Sequence, residues 1–338
     1  MRFVAYVALL TAFCAACGGR PAPAPTSGRK AEQGPASASP ATIRMDIPLE
    51  PDVSDVPRLM ARDALQQAGY TVVSTAYRDN VVAIQGLVQG QVDVALLSLP
   101  AVLAAIQQGA GIAVIMGGGS HTRCLVTAPA ITTCSHLHGR QVSVPNLVSS
   151  QTLALQRYIA NRCPGTRVEP VVISGTGNRL AALLARRTDG AILDLMTLLE
   201  VQQADGPAFN VLAEFGAEFP GLGGAAMVAS RAFLDSHPDA AGDLVRECLR
   251  ATRRIQDPAV LNAQIIKHLG LAPERAERAA RAYLEQKVWD VNGGLQNDAM
   301  RRNIEFCVEM GVLAPGMTPA AAEDRRYLDT ALAELGRR

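Results

Sequence analysis

From Thr42 onward, short runs of apolar residues alternate with stretches that are apolar at helical spacing. This pattern predicts strands and helices in alternation as far as residue 116, and the same alternation again from residue 141 to residue 195. Strands that alternate with helices form a mainly parallel sheet with helices on both faces. The predicted strands are 43–47, 71–75, 92–97, 112–116, 141–144, 168–173, 191–195 and 225–230. The predicted helices are 56–68, 81–88, 101–108, 150–161, 179–186, 239–254, 259–268, 273–285, 297–310 and 320–335.

The two halves of the chain share one pattern. Residues 83–110 align without a gap on residues 179–206, which places Asp93 on Asp189 and Ser98 on Asp194. We therefore expect an α/β fold of two lobes with the same design. After residue 224 the pattern is mostly helical, and the simplest interpretation is a return to the first lobe. Lobe 1 is then residues 42–130 with 225–338, and lobe 2 is residues 131–224.

The N-terminus has the features of an export signal. Arg2 precedes an apolar run over residues 3–16, which suits a signal peptide and is short for a membrane span. The run ends in CAAC and resembles a bacterial lipobox, so we expect residues 1–17 to be a lipoprotein signal peptide that ends at a lipidated Cys17. Cleavage without lipidation is the alternative. Residues 18–41 are rich in Pro, Ala, Ser and Gly and predict a disordered tether, so the protein is expected to be exported and held at the cell membrane.

Composition narrows the function classes. The chain has 338 residues, 49% of them hydrophobic and 19% charged, with a formal net charge of +1. This is a globular composition, and at about 150 residues per domain the length predicts about two domains. The near-zero charge argues against nucleic acid as a partner, because phosphate recognition needs a basic surface.

Export makes disulfides possible among the five cysteines beyond residue 17. Cys124 and Cys134 flank a predicted turn and are the first expected pair. Cys248 and Cys307 are a weaker second pair, which leaves Cys163 as a small buried residue.

The same turn region suggests a second chemistry. His121, His136 and His138 lie near Cys124 and Cys134, and zinc uses such ligands. Their spacing matches no zinc-finger pattern, and paired cysteines would not be free to bind metal. We therefore expect a disulfide-closed turn and no metal site.

Ligands in open α/β sheets bind beyond the carboxyl ends of the strands, and two facing lobes form a cleft there. Ser149 and Ser150, after the strand at 141–144, lie at a helix N-terminus, which attracts oxyanions or carbonyls. Asp194 lies at the end of the strand at 191–195 and favours a cation or hydroxyl. Each candidate has a purely structural alternative. Ser149, Ser150 and Asp194 would only cap helices, Thr176 would only form a tight turn, and Tyr77 would only pack against its neighbours. The candidate ligand-binding residues are Pro48, Tyr77, Ser98, Ser149, Ser150, Thr176 and Asp194. We find no catalytic constellation, and we expect neither an enzyme nor a cofactor.

Three segments together resemble a known family. Residues 87–95 (LVQGQVDVA), 136–144 (HLHGRQVSV) and 289–294 (WDVNGG), with EMGVL at 309–313, are similar in order and spacing to type II solute-binding proteins of ABC importers. Within these solute-binding proteins, the chain resembles the branch that includes nitrate, sulfonate, taurine and thiamine-precursor binders. The resemblance covers about residues 42–313.

This resemblance implies a monomeric two-lobed binder that closes on a small polar or anionic organic solute and delivers it to a membrane permease. It implies the same strand-end contacts, and hinges near residues 127–139 and 219–224. The family often has an aromatic residue after the first strand, in a W-x-P-N-like segment, where this chain has IPLEP at 47–51, so a thiamine-like ligand is not expected. A ligand-sensing module and a pyrimidine-synthase-like enzyme are the alternatives, and the export signal and the lack of a Cys/His-rich iron motif disfavour the enzyme.

Overall fold

In the part of the chain that the structure describes, short apolar segments form ten strands, most of them where the sequence predicts them. We analysed a computed structural model, which describes residues 41–48, 51–77, 79–203, 209–295 and 298–338. The segments predicted to be a signal peptide ending at Cys17 and a tether lie outside these residues, apart from Ala41. The strands are β1 Thr42–Asp46, β2 Thr71–Thr75, β3 Val94–Ser98, β4 Ile112–Gly117, β5 Arg123–Thr127, β6 Arg140–Val144, β7 Val168–Val172, β8 Gly190–Asp194, β9 Asn210–Glu214 and β10 Ala225–Ser230.

Helices connect these strands and cover both sheets. They are α1 Val56–Gln67, α2 Asn80–Val88, α3 Leu99–Gln107, α4 Ser150–Arg162, α5 Thr176–Leu184, α6 Leu195–Gln203, α7 Phe215–Glu218, α8 Arg231–Ser236, α9 Pro238–Arg254, α10 Pro258–Leu269, α11 Pro273–Glu285, α12 Ala299–Glu309, α13 Pro319–Ala322 and α14 Arg326–Leu335. Short 3-10 turns cover Val53–Asp55 and Cys134–Leu137. None of the helices in the described ranges is long and apolar enough to cross a membrane.

The strands form two five-stranded sheets with one topology. The first sheet has the order β2-β1-β3-β10-β4 and the second the order β7-β6-β8-β5-β9. In each sheet one strand, β10 or β5, runs antiparallel to its neighbours. The strands β3 and β8, which the alignment of the two halves superimposes, take the same place in their sheets. The prediction of two mainly parallel α/β lobes is confirmed.

The boundary between the lobes lies earlier than predicted. Arg123–Thr127 was expected in lobe 1, but as β5 it pairs with β8 and β9 of the second sheet. The first crossing between sheets is therefore residues 118–122 rather than 127–139. The second crossing, residues 215–224, lies where it was expected. The sequence missed β5 and β9 because their stability comes from pairing with strands distant in sequence and not from a local pattern.

The first crossing is held closely by a C-terminal loop. The Gly117 amide donates to the Gly293 carbonyl over 2.7 Å, and the Ser120 amide donates to the Val288 carbonyl over 2.8 Å. A Cβ on Gly119 would lie 2.7 Å from the Val288 carbonyl oxygen. Glycine permits this approach, and the loop at 288–294 braces the passage between the sheets.

The C-terminal helices do not all pack on lobe 1 alone. Helix α9 packs along α1 and α14. Helix α11 instead joins an apolar cluster that mixes Val56 of α1 with Cys124 and Leu193 of the second sheet and with Tyr283. The assignment of residues 225–338 to lobe 1 is thus incomplete, because α11 covers parts of both lobes.

The predicted helix at 320–335 is interrupted. Residues 323–325 leave the helical path because Glu323 forms a parallel bridge with Val114, and the Asp324 amide donates to the Val114 carbonyl over 2.8 Å. The edge of the first sheet thus captures this segment between α13 and α14.

The disulfide differs from the predicted pairs. Cys134 bonds to Cys163 at the end of α4, so the Cys124–Cys134 prediction is wrong. Cys124 is a buried free thiol on β5, in the cluster beside α11, whereas Cys134 lies in the separate cluster on the other side of the sheet. The predicted pair of Cys248 and Cys307 is also wrong, because both are free thiols buried in the core of lobe 1.

Candidate functional site

The carboxyl ends of the two sheets meet at a direct contact between the lobes. Ser98 ends β3 and precedes α3, and its hydroxyl oxygen accepts a hydrogen bond from the Ser150 amide over 3.1 Å. The Ser150 hydroxyl donates to the Gly224 carbonyl over 2.8 Å. The structure thus brings two of the predicted site residues together across the interface.

Ser149 is the N-cap of α4. Its hydroxyl oxygen accepts a hydrogen bond from the Thr152 amide over 3.2 Å, and its side chain lies 3.0 Å from the Thr152 hydroxyl. A capping hydroxyl satisfies one of the donors that a helix start leaves free. The first turn of α4, predicted to attract an oxyanion, is therefore occupied here by hydroxyl groups of the chain itself. A solute contact by Ser149 stays a prediction.

Thr176 and Asp194 lie together in lobe 2. The Asp194 carboxylate accepts hydrogen bonds from the Thr197 amide over 2.8 Å and from the Thr176 hydroxyl. Burial alone would raise the pKa of Asp194, but the charge of Arg123 and these hydrogen bonds outweigh it and hold the pKa below its usual value. Asp194 is therefore a carboxylate at neutral pH.

Arg179 supports this pair from below. Its side chain is buried and donates to the Ile192 carbonyl over 2.7 Å, to the Ile173 carbonyl over 3.1 Å and to the Thr176 hydroxyl over 2.8 Å. Burial lowers the pKa of Arg179 to about 10, which still leaves it charged at neutral pH. These hydrogen bonds fix the position of the Thr176 side chain and connect it to the C-terminal end of β8.

Tyr77 and Pro48 follow the first two strands. The Tyr77 amide donates to the Asp46 carboxylate over 3.3 Å, and its ring packs on α2, where a Cβ on Gly86 would lie 2.6 Å from the phenol oxygen. This placement favours the packing alternative for Tyr77. Pro48 is half-buried at the end of β1, and its next two neighbours lie outside the described residues.

Three further side chains line the interface beside these candidate residues. Arg123 begins β5, and its Nη1 lies 3.6 Å from Oδ2 of Asp52 in lobe 1. In the register of the second sheet Arg123 lies opposite Asp194. Tyr283 of α11 is the third, and it is fully buried beside this charge cluster. Arg123 was missed because its strand was missed, and the position of Asp52 before α1 also suits a structural role at a helix start.

Asp52 does take that structural role as well. It caps the 3-10 turn Val53–Asp55, and the Ser54 amide donates to its carboxylate over 2.6 Å. Burial and the neighbouring Asp55 raise the pKa of Asp52, against the lowering effect of Arg123. A carboxylate with a raised pKa benefits from any added positive charge.

A buried polar cluster lies beside this turn in lobe 1 and consists of Asp46, Asp55 and Arg58. Arg58 pairs with the Asp55 carboxylate and donates to the Asp46 carbonyl over 2.6 Å. All three are buried, and burial raises the pKa of Asp46. The pairing fixes the start of α1 and holds the Asp52 turn against the end of β1.

A cavity of about 740 Å³ lies apart from these residues, on the lobe 1 side of the crossings. Its walls include the glycine segment 117–119, the loop at 288–291 and Arg302 of α12. Because no wall residue comes from β6, β7 or β8, this cavity is not the cleft between the lobes.

The histidine and cysteine residues near the first crossing do not form a metal centre. Cys134 is disulfide-bonded and Cys124 is buried on a strand. Within the described ranges, no group of three or more His, Cys, Asp or Glu side chains is placed to hold a metal ion.

Comparisons with solved structures identify the fold. The ligand-binding component of an ABC-type import system from Staphylococcus aureus, with zinc bound, has a TM-score of 0.72 at 14% identity over 86% of this chain and 99% of that one. The alkanesulfonate-binding protein SsuA from Xanthomonas axonopodis pv. citri, bound to MOPS, has a TM-score of 0.67 at 16% identity over 86% of this chain and 100% of that one. The periplasmic nitrate-binding protein NrtA from Synechocystis PCC 6803 has a TM-score of 0.66 at 12% identity over 89% of this chain and 90% of that one.

Comparison by sequence gives the family. No curated protein matches the chain. The family model described as NMT1/THI5 like matches residues 65–259, which is more than half of the chain. The topology of the two sheets and the structural neighbours agree with this match. The chain therefore belongs to the NMT1/THI5-like family and has the two-lobed periplasmic-binding-protein fold.

Proposed function

We propose that this protein is the extracytoplasmic solute-binding component of an ABC importer. In this role it captures a small polar organic solute between its lobes. The observation that carries the proposal is the meeting of the two sheets at one interface, where the Ser98–Ser150 contact and the pair of Asp52 and Arg123 join the lobes. No covalent chemistry is part of this role.

Capture follows from a difference in affinity between two arrangements of the lobes. A solute that contacts both sheets can make all its contacts only when the lobes are together, so it favours closure by that difference. The crossings at residues 118–122 and 215–224 connect the lobes and are the segments that would bend. Asp194 and Thr176 from lobe 2 and Asp52 from lobe 1 are the proposed contacts, with Ser98 and Ser150 beside them.

The N-terminal residues and the permease complete the proposal. A lipid on Cys17 and a tether over residues 18–41 would keep the binding domain near a membrane permease. Radiolabelled palmitate should be incorporated into the wild-type chain in its host and not into Cys17→Ser. Equal labelling of the two chains would remove the anchor from the proposal and leave solute capture untouched.

A thermal-shift screen tests capture itself. The compounds would span organic anions, sulfonates, amino acids, amines and pyrimidines. A ligand at 100 times its dissociation constant adds about 2.7 kcal/mol to the free energy of unfolding, which is a rise of a few degrees in the melting temperature. One chemical class should raise the melting temperature of the wild type, and Asp194→Ala should lose the shift. The exposed Glu169→Gln on β7 should keep it, and a protein that responds to no compound would overturn the proposal.

A further inference from the structure

Four side chains meet in one recess at the interface of the lobes. Asp52 comes from lobe 1, Arg123 and Asp194 face one another across neighbouring strands of the second sheet, and Tyr283 comes from α11. Tyr283 packs in one apolar cluster with Val53, Cys124 and Leu193, which are the chain neighbours of Asp52, Arg123 and Asp194. Three different parts of the chain thus converge on this recess.

The recess is enclosed and yet open to water. The side chains of Arg123 and Asp52 keep 22% and 24% of their surface exposed, and Asp194 is half-buried. Tyr283 beneath them is 0% exposed, and its ring stacks on Trp289 at a centroid distance of 5.8 Å. Charged groups that are surrounded by protein but remain accessible are what a small molecule entering between the lobes would meet.

Two polar groups in the recess lack partners. Among the described residues, the Tyr283 hydroxyl and Nε of Arg123 are buried without a hydrogen bond. A buried polar group without a partner destabilises the fold, so native proteins rarely keep one without a reason. Both groups are donors, and each is free to donate to an acceptor atom of a bound molecule.

The charges call for a cation beside that acceptor. In the described part of the chain, Asp52 and Asp194 face Arg123, and two further guanidinium groups lie nearby, Arg58 in lobe 1 and Arg179 in lobe 2. Arg58 donates to Asp55 and to a backbone carbonyl, and Arg179 donates to Thr176 and to two backbone carbonyls.

Arg123 alone does not neutralise the two remaining acids. Its Nη1 lies 3.6 Å from Asp52, which is longer than a hydrogen bond. Asp52 and Asp194 therefore have acceptor capacity to spare. A bare oxyanion would add to their negative charge, whereas a protonated amine would neutralise it.

We propose that this recess selects a small zwitterionic solute, with its ammonium group on Asp52 and Asp194 and its acidic oxygens on Arg123 and the Tyr283 hydroxyl. This inference rests on the proposed function, because it names the class of solute that the cleft takes. It separates this chain from a binder of amine-free oxyanions.

Calorimetry on the full chain with matched pairs of probes tests the inference. The pairs are 2-aminoethanesulfonate with ethanesulfonate, and 3-aminopropanoate with propanoate. Each amine should bind at least about tenfold more tightly than its amine-free partner, since a hydrogen bond to a charged group contributes about that much. Asp194→Asn should remove this preference, while the control Glu169→Gln should keep it.

Two further variants protect the test against a misfolded protein. Asp52→Asn keeps a side chain that caps the 3-10 turn and should also lose the preference for amines. Tyr283→Phe removes only the hydroxyl and should weaken binding of the amino acids by several-fold. Equal binding within the pairs, no binding of either amine, or a preference that survives both Asp→Asn variants would overturn the inference. If amine-free anions alone bind, solute capture still stands, and only a protein that binds nothing in the wider screen removes both.

Discussion

The amide of Ser150 donates to the hydroxyl oxygen of Ser98 over 3.1 Å, and this bond joins the first turn of α4 in lobe 2 to the end of β3 in lobe 1. An N-terminal helical amide that would otherwise be free for a solute is thus met by a hydroxyl of the opposite lobe. The Ser150 hydroxyl adds a second bond, to Gly224 at the end of a crossing. In this arrangement the lobes are held together by their own polar groups at the point where the sheets meet.

We expect Ser150→Ala to weaken both the fold and solute capture. The change removes the bond to the Gly224 carbonyl and should lower the free energy of unfolding by about 1 kcal/mol. Denaturant unfolding and calorimetry would measure the two effects. Ser230→Ala is the matched control, since Ser230 is an equally buried serine that caps α8 away from the cleft. It should lose about 1 kcal/mol of stability with solute affinity unchanged, and equal effects on affinity would contradict this role of Ser150.

Reduction of the Cys134–Cys163 disulfide should destabilise the protein. The bond closes a loop with a sequence separation of 29 residues, and a loop of this size is expected to contribute about 3 kcal/mol by restricting the unfolded chain. A reductant should therefore lower the melting temperature of the wild type by several degrees and leave that of Cys134→Ala/Cys163→Ala unchanged. Peptide mapping of the oxidised protein would show a Cys124 crosslink instead if this pairing is wrong.

The buried imidazole of His121 should make the fold sensitive to acid. His121 lies in the first crossing, is 3% exposed, and burial together with Arg123 lowers its pKa to about 4. Its ordinary pKa is 6.5, so the unfolded chain binds more protons between these two values. The contribution of the neutral His121 imidazole to the free energy of unfolding is fully present above pH 6.5. This contribution, about 3 kcal/mol in total, is lost as the pH falls towards 4.

Unfolding curves between pH 7 and pH 4 would measure this slope. His121→Gln should flatten the part of the slope that lies above the titration range of the carboxylates. His136→Gln, at an exposed position, should leave it unchanged. An equal slope in wild type and His121→Gln would show that this imidazole does not control the acid sensitivity.

The first crossing should tolerate no side chain at Gly119. Its φ of +105° is a conformation that other residues rarely adopt, and a Cβ would lie 2.7 Å from the Val288 carbonyl oxygen. Gly119→Ala should therefore lower the free energy of unfolding by about 2 kcal/mol or more. Gly242→Ala in α9 meets no atom within 4 Å and should stabilise the protein by about 0.5–1 kcal/mol. Chemical denaturation of both variants would show whether the signs differ as expected.

The sequence predicts the elements whose local pattern decides their structure. Val94–Ser98 and Gly190–Asp194 are mostly apolar because strands between two layers of helices are buried on both faces, and their similarity already indicates two equivalent lobes. Arg123–Thr127 escapes prediction because its stability comes from pairing with β8 and β9, which are distant in sequence. The lobe boundary shifts with it.

The site could be predicted only as far as strand ends indicate it. Ser98, Ser150, Thr176 and Asp194 follow from their places after strands, and the structure joins them in two pairs. Tyr283, whose hydroxyl has no hydrogen-bond partner, could not be found in this way. It belongs to the C-terminal helix α11, and the local sequence pattern does not show that this helix packs against both lobes. The disulfide prediction is wrong for a similar reason, since the spacing of cysteines in the sequence does not show which face of the sheet each one occupies.

A reversible lock between the lobes tests the central claim most directly. Ser98→Cys/Ser150→Cys would replace the interlobe hydrogen bond by a disulfide, and the single variants under the same reductant would serve as controls. The rate of association would be measured with the compound that raises the melting temperature most. If the solute binds between lobes that must part, the oxidised double variant should bind at least about tenfold more slowly than its reduced form, because entry requires opening. Equal association rates for the locked and reduced protein would contradict capture between the lobes.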